Sequence, residues 1–133
     1  MKKNISNGVK ATLLNYQQSP RKVRLVADLI RGKSVIRART LLSFADKKSA
    51  PAVLKLLESA VASARAEGSA AENLVVKDIQ VNQGLSMKRI MPMARGQAHR
   101  YRHRRASIIL VLDAKKEVKA EKKAPKKTAK KKA

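Results

Sequence analysis

The sequence predicts an α+β fold: three helices packed on a small antiparallel sheet, with one long extended β-hairpin and a disordered basic C-terminal tail. Three observations point to it. The helix-patterned segments come first and the strand-patterned ones follow, without the regular alternation of a parallel βαβ fold. Residues 79–112 lie between two strand-like runs and contain no Asp or Glu. Beyond them, residues 114–133 hold ten lysines and almost nothing apolar besides Val118 and alanine. A segment of that composition cannot bury a core. We therefore expect one domain over residues 1–113, with the hairpin at about 81–108, and a Lys/Ala-rich tail over 114–133.

The elements follow in order. Residues 9–16, with Leu13 and Leu14, form a short strand. Ser19-Pro20 opens the first helix, with a hydroxyl at the N-cap and proline at the first helical position, where its missing N–H costs nothing. Val23, Val26, Ala27 and Ile30 recur at helical spacing, and Gly32 stands where a glycine ends a helix. Ser34 caps a shorter helix that turns Val35, Ala38, Leu41 and Leu42 inward. A third, alanine-rich helix begins near Ser49-Ala50-Pro51, carries an apolar stripe of Leu54, Leu57, Val61 and Ala64, and ends before Gly68. Residues 74–81 and 107–112 are rich in β-branched and aliphatic side chains and read as strands.

Charge decides the class of partner. The chain of 133 residues has 32 Lys and Arg against 9 acids, a formal net charge of +23. Ten of those bases and two of those acids lie in the tail, so the body itself carries +15. Such a charge repels itself unless a polyanion lies nearby. Nucleic acid fits, because each neutralised phosphate releases counterions. A membrane surface would call for an amphipathic helix with aromatic anchors, and Tyr16, Phe44 and Tyr101 are the whole aromatic complement. No apolar run approaches the ~20 residues of a bilayer span. No apolar segment follows Met1-Lys2-Lys3-Asn4, so no secretory signal is expected. The absence of cysteine rules out disulfides, zinc knuckles and thiol catalysis. The tail reads equally as a solubilising segment and as a phosphate-binding one.

Two basic clusters are the candidate binding residues. The first is Arg21, Lys22, Arg24, Arg31 and Lys33, along and just after the first helix. The second is Lys88, Arg89, Arg95, Arg100, Arg102, Arg104 and Arg105, within the acid-free stretch. The simplest topology for that stretch is one hairpin turning near Arg95-Gly96, where Gly96 allows the positive φ of a tight turn. Arms of about 13 residues give a reach on the order of 40 Å. The distal residues 86–104 have no obvious core, an isolated two-stranded ribbon is marginal in water, and Pro92 denies one ladder hydrogen bond. The arm should need a phosphate-rich partner that guanidinium forks can grip. A solvated basic loop is the plainer alternative. His99 and His103, or Met87, Met91 and Met93, could be read as metal ligands, but no Cys or acid lies beside them. The methionines suit adaptable packing against bases or protein.

These residues carry a resemblance. Ser19-Pro20-Arg21-Lys22-Val23-Arg24-Leu25-Val26-Ala27-Asp28-Leu29-Ile30-Arg31-Gly32-Lys33 looks like the first-helix signature of the bacterial large-subunit ribosomal protein twenty-two family. Met87-Lys88-Arg89-Ile90-Met91-Pro92 resembles the rising arm of that family's hairpin, and Leu56-Leu57-Glu58-Ser59-Ala60-Val61-Ala62-Ser63-Ala64 its long helix. The resemblance spans residues 10–112. It implies a structural constituent of the large ribosomal subunit, in the cytoplasmic ribosome, that binds large-subunit ribosomal RNA through both clusters and supports assembly. Its partners would be that RNA, neighbouring large-subunit proteins and the nascent polypeptide, since the family's hairpin lines the polypeptide exit tunnel. By position, Met91, Pro92, Met93, Ala94, Arg95, Gly96 and Gln97 would face the tunnel. The chain departs from the family at Met93 and Gln97, where basic residues are common, and at Ser107-Ile108-Ile109, where Ser-His-Ile is typical. The tail is not a core family feature.

Other classes fit less well. A bacterial architectural DNA-binding protein also uses basic β-arms with a proline near the tip, but is shorter and dimeric. An enzyme would need a P-loop, nucleophile elbow, metal-ligand spacing or carboxylate pair, and none is present. No catalytic residue, metal, cofactor, membrane contact or homo-oligomer is expected.

Overall fold

The computed structural model describes residues 8–69 and 73–114. The chain runs β1 (Val9–Tyr16), α1 (Pro20–Ile30), α2 (Val35–Phe44), α3 (Ala50–Ala66), β2 (Leu74–Pro92) and β3 (Ala98–Ala114), with a 3₁₀ turn at Ala94–Gly96 between β2 and β3. The sheet is antiparallel in the order β1-β3-β2. The three helices, the small sheet and the long hairpin are those the sequence predicts. The tail, beyond Ala114, lies outside the described residues.

The core lies between one sheet face and the helices. Ile79, Val81, Ile108, Leu110 and Leu112 from the sheet meet Val23, Val26 and Ile30 of α1, Leu42 of α2, and Val53, Leu57, Ala60 and Ala64 of α3. The third-helix stripe is shifted from the sequence expectation. Leu54 is only partly buried at the edge, and Val53 and Ala60 take the deepest positions with Leu57 and Ala64. Alanine at 60 and 64 lets the helix backbone approach the sheet.

The helix ends are simpler than expected. Ser19 and Ser34 occupy the N-cap positions of α1 and α2, but neither hydroxyl caps. Their carbonyls accept the first-turn N–H groups: Lys22 at 3.1 Å and Val23 at 3.3 Å for Ser19, Ala38 at 2.8 Å for Ser34. After α1, Arg31 (φ −59°, ψ 131°) and Gly32 (φ +70°) make the central pair of a type II turn, closed by Lys33 N–H to the Ile30 carbonyl at 3.2 Å. Gly32 thus ends the helix through a β-turn, and its N–H is free to pair with the Val76 carbonyl at 3.0 Å on the outer edge of β2.

β2 and β3 pair from Leu74↔Ala114 to Pro92↔Ala98. β1 covers β3 only as far as Tyr16↔Ala106. Beyond that level the sheet is a two-stranded ribbon. Two bulges mark the level. Leu14 and Asn15 face one residue of β3, with Asn15 at φ +57°, and Gly84 and Leu85 face Arg105 alone. Paired bulges raise the local twist and re-aim a strand, so the ribbon leaves the sheet at a point built to bend it. From Gly84 to the tip the projection is roughly 35 Å at strand rise.

The tip shows why Pro92 is tolerated. Met93 N–H donates to the Gln97 carbonyl at 2.8 Å, pointing toward β3. By strand alternation the Pro92 nitrogen points outward, where no N–H is needed. Arg95 (φ 60°, ψ 31°) and Gly96 (φ 71°) form the turn. Both residues are left-handed, as in a type I′ hairpin turn, so the strain falls on Arg95 as well as on the expected Gly96.

Candidate nucleic-acid interface

Strand alternation sorts the ribbon into two faces. The pairs Lys88↔Arg102, Ile90↔Arg100 and Ser86↔Arg104 share one face. That face carries four cations and no aromatic residue. The pairs Met87↔His103, Arg89↔Tyr101 and Met91↔His99 share the other. It is mixed: one arginine, two imidazoles, a phenol and two thioethers. Every residue from Met87 to Arg104 is exposed. The acids paired within the described residues (Asp28 with Arg31, Glu58 with Arg39, Asp113 with Lys77) all lie on the globular part.

The mixed face does not stand alone. At the root of the ribbon it forms one wall of an open groove of about 850 Å³. Met87, Arg89, Tyr101, His103 and Arg105 line this wall, joined by Arg102 and Arg104. Gln17, Gln18, Ser19, Arg21 and Lys22, from the β1–α1 connection and the first turn of α1, form the other. The fold thus brings together parts of two clusters some 70 residues apart in sequence. Arg105 is set in place by its Nη2, which donates to Met87 Sδ at 3.8 Å. Tyr101 and His103 meet edge to face, centroids 5.1 Å apart at 77°. The Gln18 Oε1 is buried and has no donor among the described residues.

The first cluster divides. Arg21 and Lys22 have no side-chain hydrogen bond among the described residues and face the groove. Arg24 instead donates Nε and Nη2 to the Val81 carbonyl, at 3.3 and 3.1 Å. Arg31 donates Nη2 to the Ile79 carbonyl at 2.9 Å. These two carbonyls lie on the outer edge of β2, and the arginines close an edge that would otherwise be open to pairing. Lys33 is half-buried, its carbonyl accepting the Val76 N–H at 2.9 Å. Lys88, Arg100, Arg102 and Arg104 lie on the cationic face, and Arg95 is at the tip beside Met93, Ala94, Gly96 and Gln97. The sequence reading leaves Gln17, Gln18 and Tyr101 unassigned. Only the alternation His99-Arg100-Tyr101-Arg102-His103-Arg104 hints at Tyr101, through its period of two. The metal reading of His99 and His103 loses its geometry: four residues apart on one strand they stand roughly 13 Å apart, and no group of three His, Cys, Asp or Glu gathers among the described residues. No helix among them is long and apolar enough to cross a membrane.

A globular part that carries the described acids, with an acid-free cationic ribbon projecting from it, defines a strongly basic protein with an extended arm. Comparison with known proteins gives that class its family. Residues 11–113 match the family described as ribosomal protein L22p/L17e. The chain is 44% identical over 105 residues to the large ribosomal subunit protein uL22 of Herpetosiphon aurantiacus, covering 78% of this chain and 93% of that one. The chain belongs to the ribosomal protein L22p/L17e family. It is a ribosomal protein of translation, a structural constituent of the large subunit in the cytoplasmic ribosome, and its family is not an enzyme family.

Proposed function

We propose that this protein binds large-subunit ribosomal RNA along its ribbon and root groove, supports assembly of that subunit, and extends its hairpin tip to the wall of the polypeptide exit tunnel. The carrying observation is the arm itself. Its two strands hold Lys88, Arg89, Arg100, Arg102, Arg104 and Arg105 outside any protein core, with no acid between residues 79 and 112. Alone such a ribbon is marginal; packed in RNA its guanidinium groups gain phosphate oxygens as bidentate partners. Contacts on the cationic face are to backbone and shape, with little base readout. Neighbouring ribosomal proteins cover part of the globular end. Residues 91–97 form the tip, with Arg95 its one charge, and meet the nascent polypeptide.

The test is salt dependence. Lys88→Ala with Arg89→Ala weakens binding to a large-subunit ribosomal RNA transcript and flattens the slope of log K against log salt by up to roughly one unit per lost phosphate contact. An unchanged slope would show that these side chains do not touch phosphate.

A further inference from the structure

We infer that the groove at the root of the hairpin is a subsite for a single unpaired RNA nucleotide, with its base stacked on Tyr101 and its phosphates held between Arg21 and Lys22 on one wall and Arg89 and Arg105 on the other. The inference rests on the RNA-binding reading above and deepens it.

Three observations carry it. The groove volume of about 850 Å³ falls in the ~300–1,000 Å³ range of small-ligand sites, which leaves room for a nucleotide. Its walls are cationic on both sides, which suits a backbone passing between them. The ribbon face turned into it differs from the opposite face by its aromatic content. Tyr101 meets His103 edge to face at 77°, so the two rings do not stack on each other and a π-face stays open to a planar base. Phosphate binding alone has no use for that ring, and the cationic face of the same ribbon does without one.

The experiment uses the full chain and compares a large-subunit ribosomal RNA transcript with a perfectly paired RNA duplex, each over a range of salt. Tyr101→Ala is expected to weaken binding to the transcript about 5- to 150-fold, the range for losing one stacked base, with the salt slope unchanged. Its affinity for the duplex stays at the wild-type value. Tyr101→Phe, which keeps the ring, retains transcript affinity. Tyr101 is exposed, so the fold survives either change, and an unaltered melting temperature checks this. Wild-type transcript affinity in Tyr101→Ala, or an equal loss on transcript and duplex, overturns the nucleotide subsite and leaves general RNA binding standing. Failure of the wild-type chain to bind the transcript overturns both.

Discussion

At the residue scale, the same side-chain type does two different jobs a turn apart. Arg21 opens into the groove, while Arg24 and Arg31 spend donors on the Val81 and Ile79 carbonyls. Arg24→Ala is expected to cost about 1 kcal/mol of stability, the usual net worth of a hydrogen-bonded group, and to leave the salt slope of RNA binding unchanged. Denaturant unfolding and a salt titration read the two effects separately; a slope lowered with stability intact would put Arg24 on phosphate instead. Gly84 is constrained by approach. A Cβ there would stand 3.2 Å from the Arg105 carbonyl oxygen, at the bulge where the ribbon departs. Gly84→Val is expected to destabilise by about 1–3 kcal/mol through overpacking against backbone, measurable by thermal unfolding. Unaltered stability would mean that the bulge opens freely.

At the scale of elements, the hairpin has two regimes along its length. From Leu74 to Val81 its inner side chains sit in the core against three helices; from Met87 round the tip to Arg104 every side chain is exposed. Backbone pairing continues across both, to Pro92↔Ala98. Pairing without packing is weak, because few buried contacts offset the entropy of ordering. Amide exchange of residues 86–104 is therefore expected to be fast in the free protein and strongly slowed on ribosomal RNA, while residues 74–81 and 107–112 are protected in both states. Equal protection of the distal residues in both states would count against this division. α3 follows the opposite logic. Its fully buried Ala60 and Ala64 leave no room for growth, and Ala64→Leu is expected to cost about 1–3 kcal/mol by overpacking, read by denaturant unfolding.

At the scale of the molecule, the charge is unevenly distributed. The described acids sit on or beside the globular end, and the projecting ribbon has none. On the RNA-binding reading proposed above, a duplex meets the cationic face alone, and the root groove with its aromatic wall adds contacts where RNA offers an irregular strand. At matched salt the protein is expected to prefer folded large-subunit ribosomal RNA to duplex DNA. Equal or tighter DNA binding would instead favour an architectural role on DNA.

The sequence by itself determined the order and type of elements, since apolar period and punctuation are local. β1, the start of α1 at Pro20 and the turn at Arg95-Gly96 follow from such signals. It also determined the arm, because an acid-free run between two strand patterns has few other forms, and its Ser-Pro-Arg-Lys and Met-Lys-Arg-Ile-Met-Pro motifs carried the family resemblance. Other features were decided only by tertiary structure. Which arginines of α1 face solvent depends on where the edge of β2 lies, and no local pattern encodes that edge. The bulges at Asn15 and Gly84 depend on one strand meeting another out of step. The groove needs residues 17–22 and residues 87–105 to meet in space. Residues far apart in sequence become one surface only when packing fixes the angle between α1 and the ribbon, and the acid-free stretch thereby gains two unlike faces: one purely cationic, the other closed by α1 into the groove.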